Sequence, residues 1–245
     1  MEEPKKEIEA ILAEVQARQN KKNKHKYPVV LKKVDPRTAN QEKIFDRFDE
    51  GKHLYIHGTA GTGKTYVACY LAMDAILNHG EFEELVIVRS AVPSRRQGFL
   101  PGNEEEKNEI FEVPYENIFG KLFDGDRPYQ NLKGSNKVRF ISTSYLRGIT
   151  LENCVVLIEE VQNMNDGEID TVMTRLGEGC RAIICGDTAQ NDLFYIHEDS
   201  CIEKLSKVIR KMPSFAVIEM KPEDICRNDI VREWLLAKQN ITGEI

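Results

Sequence analysis

The sequence contains little that would mark a secreted, membrane-spanning or zinc-binding protein. No apolar run approaches the ~20 residues that span a bilayer, and the charged N-terminus MEEPKKEIEA lacks the apolar stretch of a secretory signal. None of the six cysteines forms a C-x-x-C pair, and the five histidines show no helical or hairpin pairing. We therefore expect a cytoplasmic protein with reduced thiols, without membrane contact and without zinc.

Charge is unevenly distributed along the 245 residues. The formal net charge is −6, so the molecule as a whole does not attract polyanions. Residues 18–33 nevertheless carry seven lysines or arginines and no acid, whereas acids dominate residues 104–116. The basic run is either a solvated tail or a patch that follows a phosphate backbone. The acidic run is expected to be solvated surface.

Hydrophobic periodicity predicts a short N-terminal region and one large domain. Residues 1–33 are predicted to form an amphipathic helix, over Glu7–Gln19, followed by a basic linker. Residues 34–245 are predicted to form the domain. Six short apolar runs bounded by turn residues are predicted strands: His53–Ile56, Leu85–Val88, Val138–Ser142, Val155–Ile158, Ala182–Cys185 and Ala216–Met220.

Helical patterns lie between several of these strands. They cover Asn40–Phe48, Thr65–Asn78, Asp166–Leu176 and Cys201–Met212. Strands that alternate with helices predict a three-layer α/β fold, with a mainly parallel sheet and helices on both faces. The Gly-, Asp- and Asn-rich segment Val113–Asn136 also contains aromatics, and we expect it to be an insertion that packs on the core.

A complete phosphate-binding loop (P-loop) motif, G-x-x-x-x-G-K-[ST], follows the first predicted strand. Glycines let the backbone approach a phosphate closely, and the amide hydrogens and the helix N-terminus then stabilise its charge. Lys64 is expected to bridge the β- and γ-phosphates of ATP, and Thr65 to bind Mg²⁺. The predicted nucleotide-binding residues are Gly58, Thr59, Ala60, Gly61, Thr62, Gly63, Lys64 and Thr65.

Acidic side chains end the strand predicted over Val155–Ile158. Glu159 stands where an acid beside a P-loop holds Mg²⁺, usually as Asp, so its extra methylene places the metal geometry in question. Glu160 can accept the proton of the attacking water. The next predicted strand delivers Gly-Asp-x-x-Gln, in which Gln190 suits a γ-phosphate sensor and Asp187 can fix its loop.

The order of three motifs, GTAGTGKT, VLIEEVQN and ICGDTAQNDL, resembles the PhoH-like family. The resemblance extends from about Pro36 to Leu236. It implies a single RecA-like domain, as in the first core of superfamily 1 helicases. It also implies an ATPase that uses ATP and Mg²⁺, acts on RNA or single-stranded nucleic acid, possesses helicase-like properties and assembles as a ring.

The same resemblance implies roles for residues outside the phosphate loop. Gln41 resembles the glutamine that reads adenine in helicases, and Gln162 the one that couples the acidic strand to nucleic acid. Four residues fall where helicase cores touch a strand backbone: Arg89, Ser90, Thr143 and Ser144.

Residues after Met220 are too few for a second RecA-like domain, which in a monomeric helicase closes over the phosphate and supplies an arginine. We therefore expect a neighbouring subunit to supply it, in a closed head-to-tail ring. Arg147 and Arg227 are the candidates, and the family implies a hexamer.

Two other functions remain open. A P-loop kinase would use Lys64 and Thr65 equally well, with Arg95 and Arg96 as the only candidates for a mobile lid. A nucleotide-gated assembly or RNA-binding factor would hydrolyse weakly, because Glu159 replaces the usual aspartate.

Overall fold

The computed structural model describes residues 29–90, 104–187 and 201–242, and it describes side chains for residues 29–90, 110–187 and 201–237. The predicted helix over Glu7–Gln19 lies outside these residues. The strands are β1 (Val30–Leu31), β2 (His53–Gly58), β3 (Glu84–Arg89), β4 (Phe123–Asp124), β5 (Val138–Ser142), β6 (Cys154–Glu159), β7 (Arg181–Gly186) and β8 (Phe215–Met220). The α-helices are α1 (Ala39–Asp49), α2 (Lys64–Asp74), α3 (Glu104–Leu122), α4 (Pro128–Gly134), α5 (Asp166–Met173), α6 (Ile202–Ile209) and α7 (Asp229–Thr242).

Six strands form one parallel sheet in the order β5-β3-β6-β7-β2-β8. All six predicted strands are present, each at its predicted position or longer by one or two residues. Parallel pairing brings the carboxyl ends of β2, β7 and β6 to one edge of the sheet, where the sequence motifs follow.

Side chains of the central strands alternate between two apolar cores, one on each face of the sheet. In β2, Leu54 and Ile56 pack with α1, α2 and α3, whereas Tyr55 packs on the other side with α5 and α6. All three are fully buried. Burial on both faces explains why the strands are continuous apolar runs, and it confirms the predicted α/β fold with helices on both faces.

The predicted helices are present, with differences at their ends. Thr38 caps α1 by accepting a hydrogen bond from the backbone of Gln41, as its hydroxyl allows. The last turn of the helix predicted over Thr65–Asn78 is π-helical, over Ala75–His79, before a left-handed Gly80. The α5 and α6 helices end about three residues before their predicted ends.

The segment over Val113–Asn136 is mostly helical, consisting of the end of α3, β4 and α4. It packs on the core, as predicted. Phe119 is fully buried, with its ring centroid 5.2 Å from that of Tyr129 in an edge-to-face pair. The expectation of a solvated acidic surface is wrong at Glu112, which is buried and accepts two hydrogen bonds from Lys133.

The end of the predicted linker takes part in the fold. Val30 and Leu31 form an antiparallel pair with Asp124 and Phe123, and Leu31 packs against the core. Within the described residues, no helix combines the length and the apolar character that a bilayer crossing requires.

Replacing Phe119 tests whether α3 and α4 belong to the folding core. Phe119→Ala should lower the free energy of unfolding by about 3–5 kcal/mol, because it leaves a cavity between Phe123 and Tyr129. The matched control is Ile110→Ala on the same helix, where the side chain is exposed and the loss should stay within about 0.5 kcal/mol. Urea denaturation measures both, and equal losses would contradict the proposed packing.

Candidate nucleotide site

The P-loop joins β2 to α2 and is anchored to the adjacent strand β8. The amide of Thr59 donates to the carbonyl of Met220 at 2.9 Å. A Cβ at Gly58, where φ is +109°, would collide with that carbonyl, so only glycine fits there. Gly63 precedes the first turn of α2 at φ +84°, which directs the N-terminus of the helix at the loop. The backbone of the motif is therefore curved so that its amide groups can converge on a bound anion.

Lys64 lies along the inside of this loop. Its ammonium donates to the carbonyls of Gly58 and Thr59, each at 2.8 Å. Thr62, fully buried, ties the loop further by donating from its hydroxyl to the Thr59 carbonyl at 3.0 Å. The cation is therefore held over the concave side of the loop, where a phosphate would bind.

A side-chain hydrogen bond joins the P-loop to the acidic strand. The hydroxyl of Thr65 donates to Oε2 of Glu159 at 3.0 Å. Glu159 is only 3 % exposed, and its second oxygen, Oε1, is buried without a hydrogen-bond partner within the described part of the chain. A hydroxyl and a carboxylate with an unused oxygen are the hard ligands that Mg²⁺ prefers, so these two residues fit a metal site.

Burial is the main cause of an unusual titration at Glu159. Burial, and after it the charge of the adjacent Glu160, raise the pKa of the Glu159 carboxyl from its ordinary 4.5 to about 7. The hydrogen bond from Thr65 opposes this rise only in part. Burial therefore favours the protonated form of this carboxyl, whereas a bound cation would favour its ionised form.

Glu160 is connected to β7 through the side chain of Gln162. Glu160 follows β6 in a left-handed conformation, at φ +53°. The amide nitrogen of Gln162 donates to Glu160 Oε2 at 2.5 Å, and its oxygen accepts a hydrogen bond from the Asp187 backbone at 2.9 Å. Gln162 is almost completely buried, so it fixes the orientation of the Glu160 carboxylate relative to the end of β7.

Gln41 braces the P-loop. Its amide oxygen accepts a hydrogen bond from the Arg37 backbone at 2.9 Å, and its nitrogen donates to the Thr62 carbonyl at 2.9 Å. The nitrogen also lies 3.5 Å from the sulfur of Cys226. Only 4 % of Gln41 is exposed. In this arrangement the amide is committed to protein groups, and reading adenine would require it to exchange those bonds.

A cleft of about 590 Å³ is lined by Gln41, the loop residues 60–65, Glu159 and Glu160. Beyond the predicted residues, the segment before α1 contributes Val34, Asp35 and Arg37, and α2 contributes Tyr66. Sequence reasoning missed these four, and it also missed Val67, Ile118 and Lys121, which line the same cleft. The signal available for the segment before α1 was its position, since Val34 to Arg37 immediately precede the helix that carries Gln41, but no motif marks them.

The two candidate arginines occupy different places. Arg227 lines the cleft of its own chain, and its Cγ lies 3.1 Å from where a Cβ on Gly61 would stand. Arg147 is exposed after β5, at the far edge of the sheet, and does not line the cleft. Both arginines are exposed, and of the two only Arg227 lines the cleft of its own chain.

Comparison with known families identifies relatives of this chain. The family model described as "PhoH-like protein" matches residues 33–238. The chain belongs to the PhoH-like family. PhoH-like proteins of Synechocystis sp. and Mycobacterium leprae are 30 % identical over 207 residues and 31 % over 205 residues, which is 83 % and 82 % of this chain. The one from Bacillus subtilis is 28 % identical over 212 residues, or 85 % of this chain.

This PhoH-like chain spans 62 %, 57 % and 66 % of the lengths of those three relatives. A solved Sulfolobus solfataricus SWI2/SNF2 ATPase core in complex with double-stranded DNA aligns with 79 % of this chain and 46 % of its own, at 14 % identity and a TM-score of 0.42.

Two of the four residues that were expected to touch a nucleic-acid backbone are not on the surface of this PhoH-like chain. Ser90 and Thr143 are buried, and both hydroxyls donate to Glu168 Oε1, at 2.7 and 2.6 Å. They fix the ends of β3 and β5 to the start of α5. Ser144 is exposed, and the Arg89 guanidinium lies 5.6 Å above the ring of Phe111.

Other predicted residues lie outside the described parts of the chain. These are the proposed γ-phosphate sensor Gln190, the lid candidates Arg95 and Arg96, and the basic run before Val29.

The titration of Glu159 predicts a pH dependence of stability. Because the folded pKa exceeds the ordinary value, the contribution of this carboxyl is complete below about pH 4.5 and is lost as the pH rises through about 7. Glu159→Gln, neutral throughout, should remove that loss. At about pH 8 the variant should be more stable than the wild type by up to about 3 kcal/mol.

Urea unfolding between about pH 5 and about pH 8, without nucleotide or metal, measures this difference. The matched control is Glu152→Gln, an exposed acid next to the start of β6, which should leave the pH profile unchanged. Parallel profiles for wild type and Glu159→Gln would refute the assignment.

Proposed function

We propose that this PhoH-like chain is an ATP hydrolase whose turnover depends on RNA or another single-stranded nucleic acid and can drive helicase activity. One observation supports hydrolysis most: the P-loop and the acidic strand are joined through Thr65 and Glu159, with Glu160 held beside them. Phosphate-binding, metal-binding and base groups thus converge on one cleft.

Each residue has a distinct part in this mechanism. The P-loop amides and Lys64 would bind the β- and γ-phosphates, and Arg227 is near enough to the loop to add positive charge. Thr65 and Glu159 would hold Mg²⁺, which when bound neutralises phosphate charge. Glu160 would accept the proton of the attacking water, with its carboxylate oriented by Gln162.

The nucleic-acid part of the proposal concerns the carboxyl ends of β3 and β5. Tyr145 is 48 % exposed there, and Arg147 and Ser144 are exposed beside it. An exposed ring on which a base can stack, next to an arginine, is typical of sequence-tolerant single-strand binding. Ser90 and Thr143 would support this surface from below rather than touch the strand.

A weakly hydrolysing assembly factor is the second candidate. Its support is the raised pKa of Glu159, because protonation of a metal ligand competes with Mg²⁺ binding. Turnover measurements distinguish the two, since an assembly factor binds ATP and nucleic acid but hydrolyses slowly under every condition. No contact among the described residues favours the kinase.

Two substitutions test the catalytic assignment. Lys64→Ala should reduce ATP turnover by about 10²-fold or more, because it removes the fixed cation on the transferring phosphate. Glu160→Gln should reduce turnover by about 10²-fold or more while ATP·Mg²⁺ still binds. Phosphate release, with and without single-stranded RNA and DNA, and nucleotide titration measure these effects.

In the same assay, single-stranded nucleic acid should increase wild-type ATP turnover. This stimulation should weaken steeply as the salt concentration increases. Glu152→Gln should behave as wild type. Near-normal turnover in Lys64→Ala would refute the hydrolase proposal, and turnover that ignores both RNA and DNA would refute nucleic-acid dependence alone.

We also propose that the chain works as a ring, with six copies implied by the family. A closed head-to-tail ring would place the exposed Arg147 of each subunit at the nucleotide site of the next. Arg227, already beside Gly61 of its own chain, would act within its subunit. The two arginines therefore predict different results when inactive subunits are mixed.

An equal mixture of Lys64→Ala and Arg147→Ala subunits should recover activity at about a quarter of the interfaces, those that pair an intact P-loop with an intact arginine. A mixture of Lys64→Ala and Arg227→Ala should recover none, since every site then carries a lesion. Activity should also rise with protein concentration through the assembly range. Recovery only in the second mixture would reverse the roles, and full activity of a stable monomer would exclude the ring.

A further inference from the structure

Two cysteine thiols meet at the amino ends of the central strands β6 and β7, whereas the nucleotide cleft lies at the carboxyl ends. Cys154 is the first residue of β6 and Cys180 immediately precedes β7, and their sulfur atoms are 3.6 Å apart. The acids of the cleft follow the other end of β6, roughly 17 Å away along the strand. The pair thus lies outside the proposed active site, and none of the proposed steps uses it.

The backbone, rather than side-chain flexibility, brings these thiols together. Val155 pairs with Arg181 in the parallel ladder, so the preceding positions, 154 and 180, face each other. One step earlier, the amide of Asn153 donates to the Glu178 carbonyl at 2.9 Å. Adjacent strands are ~4.8 Å apart, within the range that a disulfide spans between Cα atoms.

The two sulfurs differ in access. Cys154 is fully buried, whereas Cys180 is partly exposed. Burial raises the pKa of the Cys154 thiol, so this thiol is less reactive toward solvent reagents than an exposed one. The Cys180 sulfur lies 3.1 Å from the Leu151 carbonyl, which it contacts as a donor. A reagent from solvent therefore meets Cys180 first, with Cys154 behind it.

We propose that Cys154 and Cys180 form a reversible dithiol–disulfide site that responds to hydrogen peroxide. The Cys180 sulfur attacks the peroxide, an S–O bond forms, the O–O bond breaks and one water leaves. The Cys154 sulfur then attacks the Cys180 sulfur, an S–S bond forms, the S–O bond breaks and a second water leaves. Two thiols and one peroxide thus give one disulfide and two waters.

The bond would join the amino ends of the two strands that carry the acidic groups of the cleft. By closing the chain between residues 154 and 180 it should raise the melting temperature by about 5 °C. Nucleotide affinity should stay within about twofold of that of the reduced protein, because the bond forms at the amino ends of the strands, away from the P-loop.

Peptide mapping tests the proposal directly. The folded chain is treated with hydrogen peroxide, remaining thiols are alkylated and the product is digested without reductant. Trypsin cuts after Arg147, Arg175 and Arg181, so the two cysteines fall in separate peptides, 148–175 and 176–181. These should appear linked, ~2 Da below their summed mass, and should separate when dithiothreitol is added.

Three variants serve as controls. Cys154→Ala and Cys180→Ala should each abolish the linked product and the gain in melting temperature, whereas Cys201→Ala, which removes a buried thiol elsewhere, should leave both unchanged. The proposal fails if Cys180 ends as a single-residue oxidation product while Cys154 stays open to alkylation after unfolding. It also fails if links to other cysteines form in equal yield.

Discussion

The hydrogen bond between Thr65 and Glu159 is the contact on which the rest of the site depends. β6 and β2 are not neighbours in the sheet, because β7 lies between them, so only side chains can connect the P-loop helix to the acidic strand. The connection requires a carboxylate inside the protein, and the raised pKa of Glu159 is the cost of that position. The length of glutamate provides reach that the shorter aspartate lacks.

Much of the fold could be predicted because its strands are buried on both faces. The strand Cys154–Glu159 appears in the sequence as the short apolar run Val155–Ile158, and its length and β-branched residues favour a strand over a buried helix. The α3 helix was not recognised, since it contains Pro114 and Gly120, which are poor helix formers, and its apolar residues follow no clear helical period. Its stability comes from tertiary contacts with α2, α4 and β5, which its own sequence pattern does not show.

The same distinction separates the predicted from the unpredicted parts of the site. The P-loop is contiguous, so its eight residues carry their geometry with them. The surroundings of Gln41 depend on Thr62 and Cys226, which only the folded chain brings together. Likewise, nothing in the sequence indicates that Ser90 and Thr143 share the Glu168 carboxylate. The sequence indicated these side chains as candidates for the site, but it did not indicate which residues they contact.

The amide of Gln162 makes the junction between β6 and β7 directional. An amide has one donating and one accepting end, and here the first meets a carboxylate and the second meets a backbone N–H. Turning it over would set oxygen against oxygen and hydrogen against hydrogen, so the group has a single permitted orientation. The ends of the two strands are thus linked through one amide plane, so the orientation of the Glu160 carboxylate depends on the backbone position of Asp187.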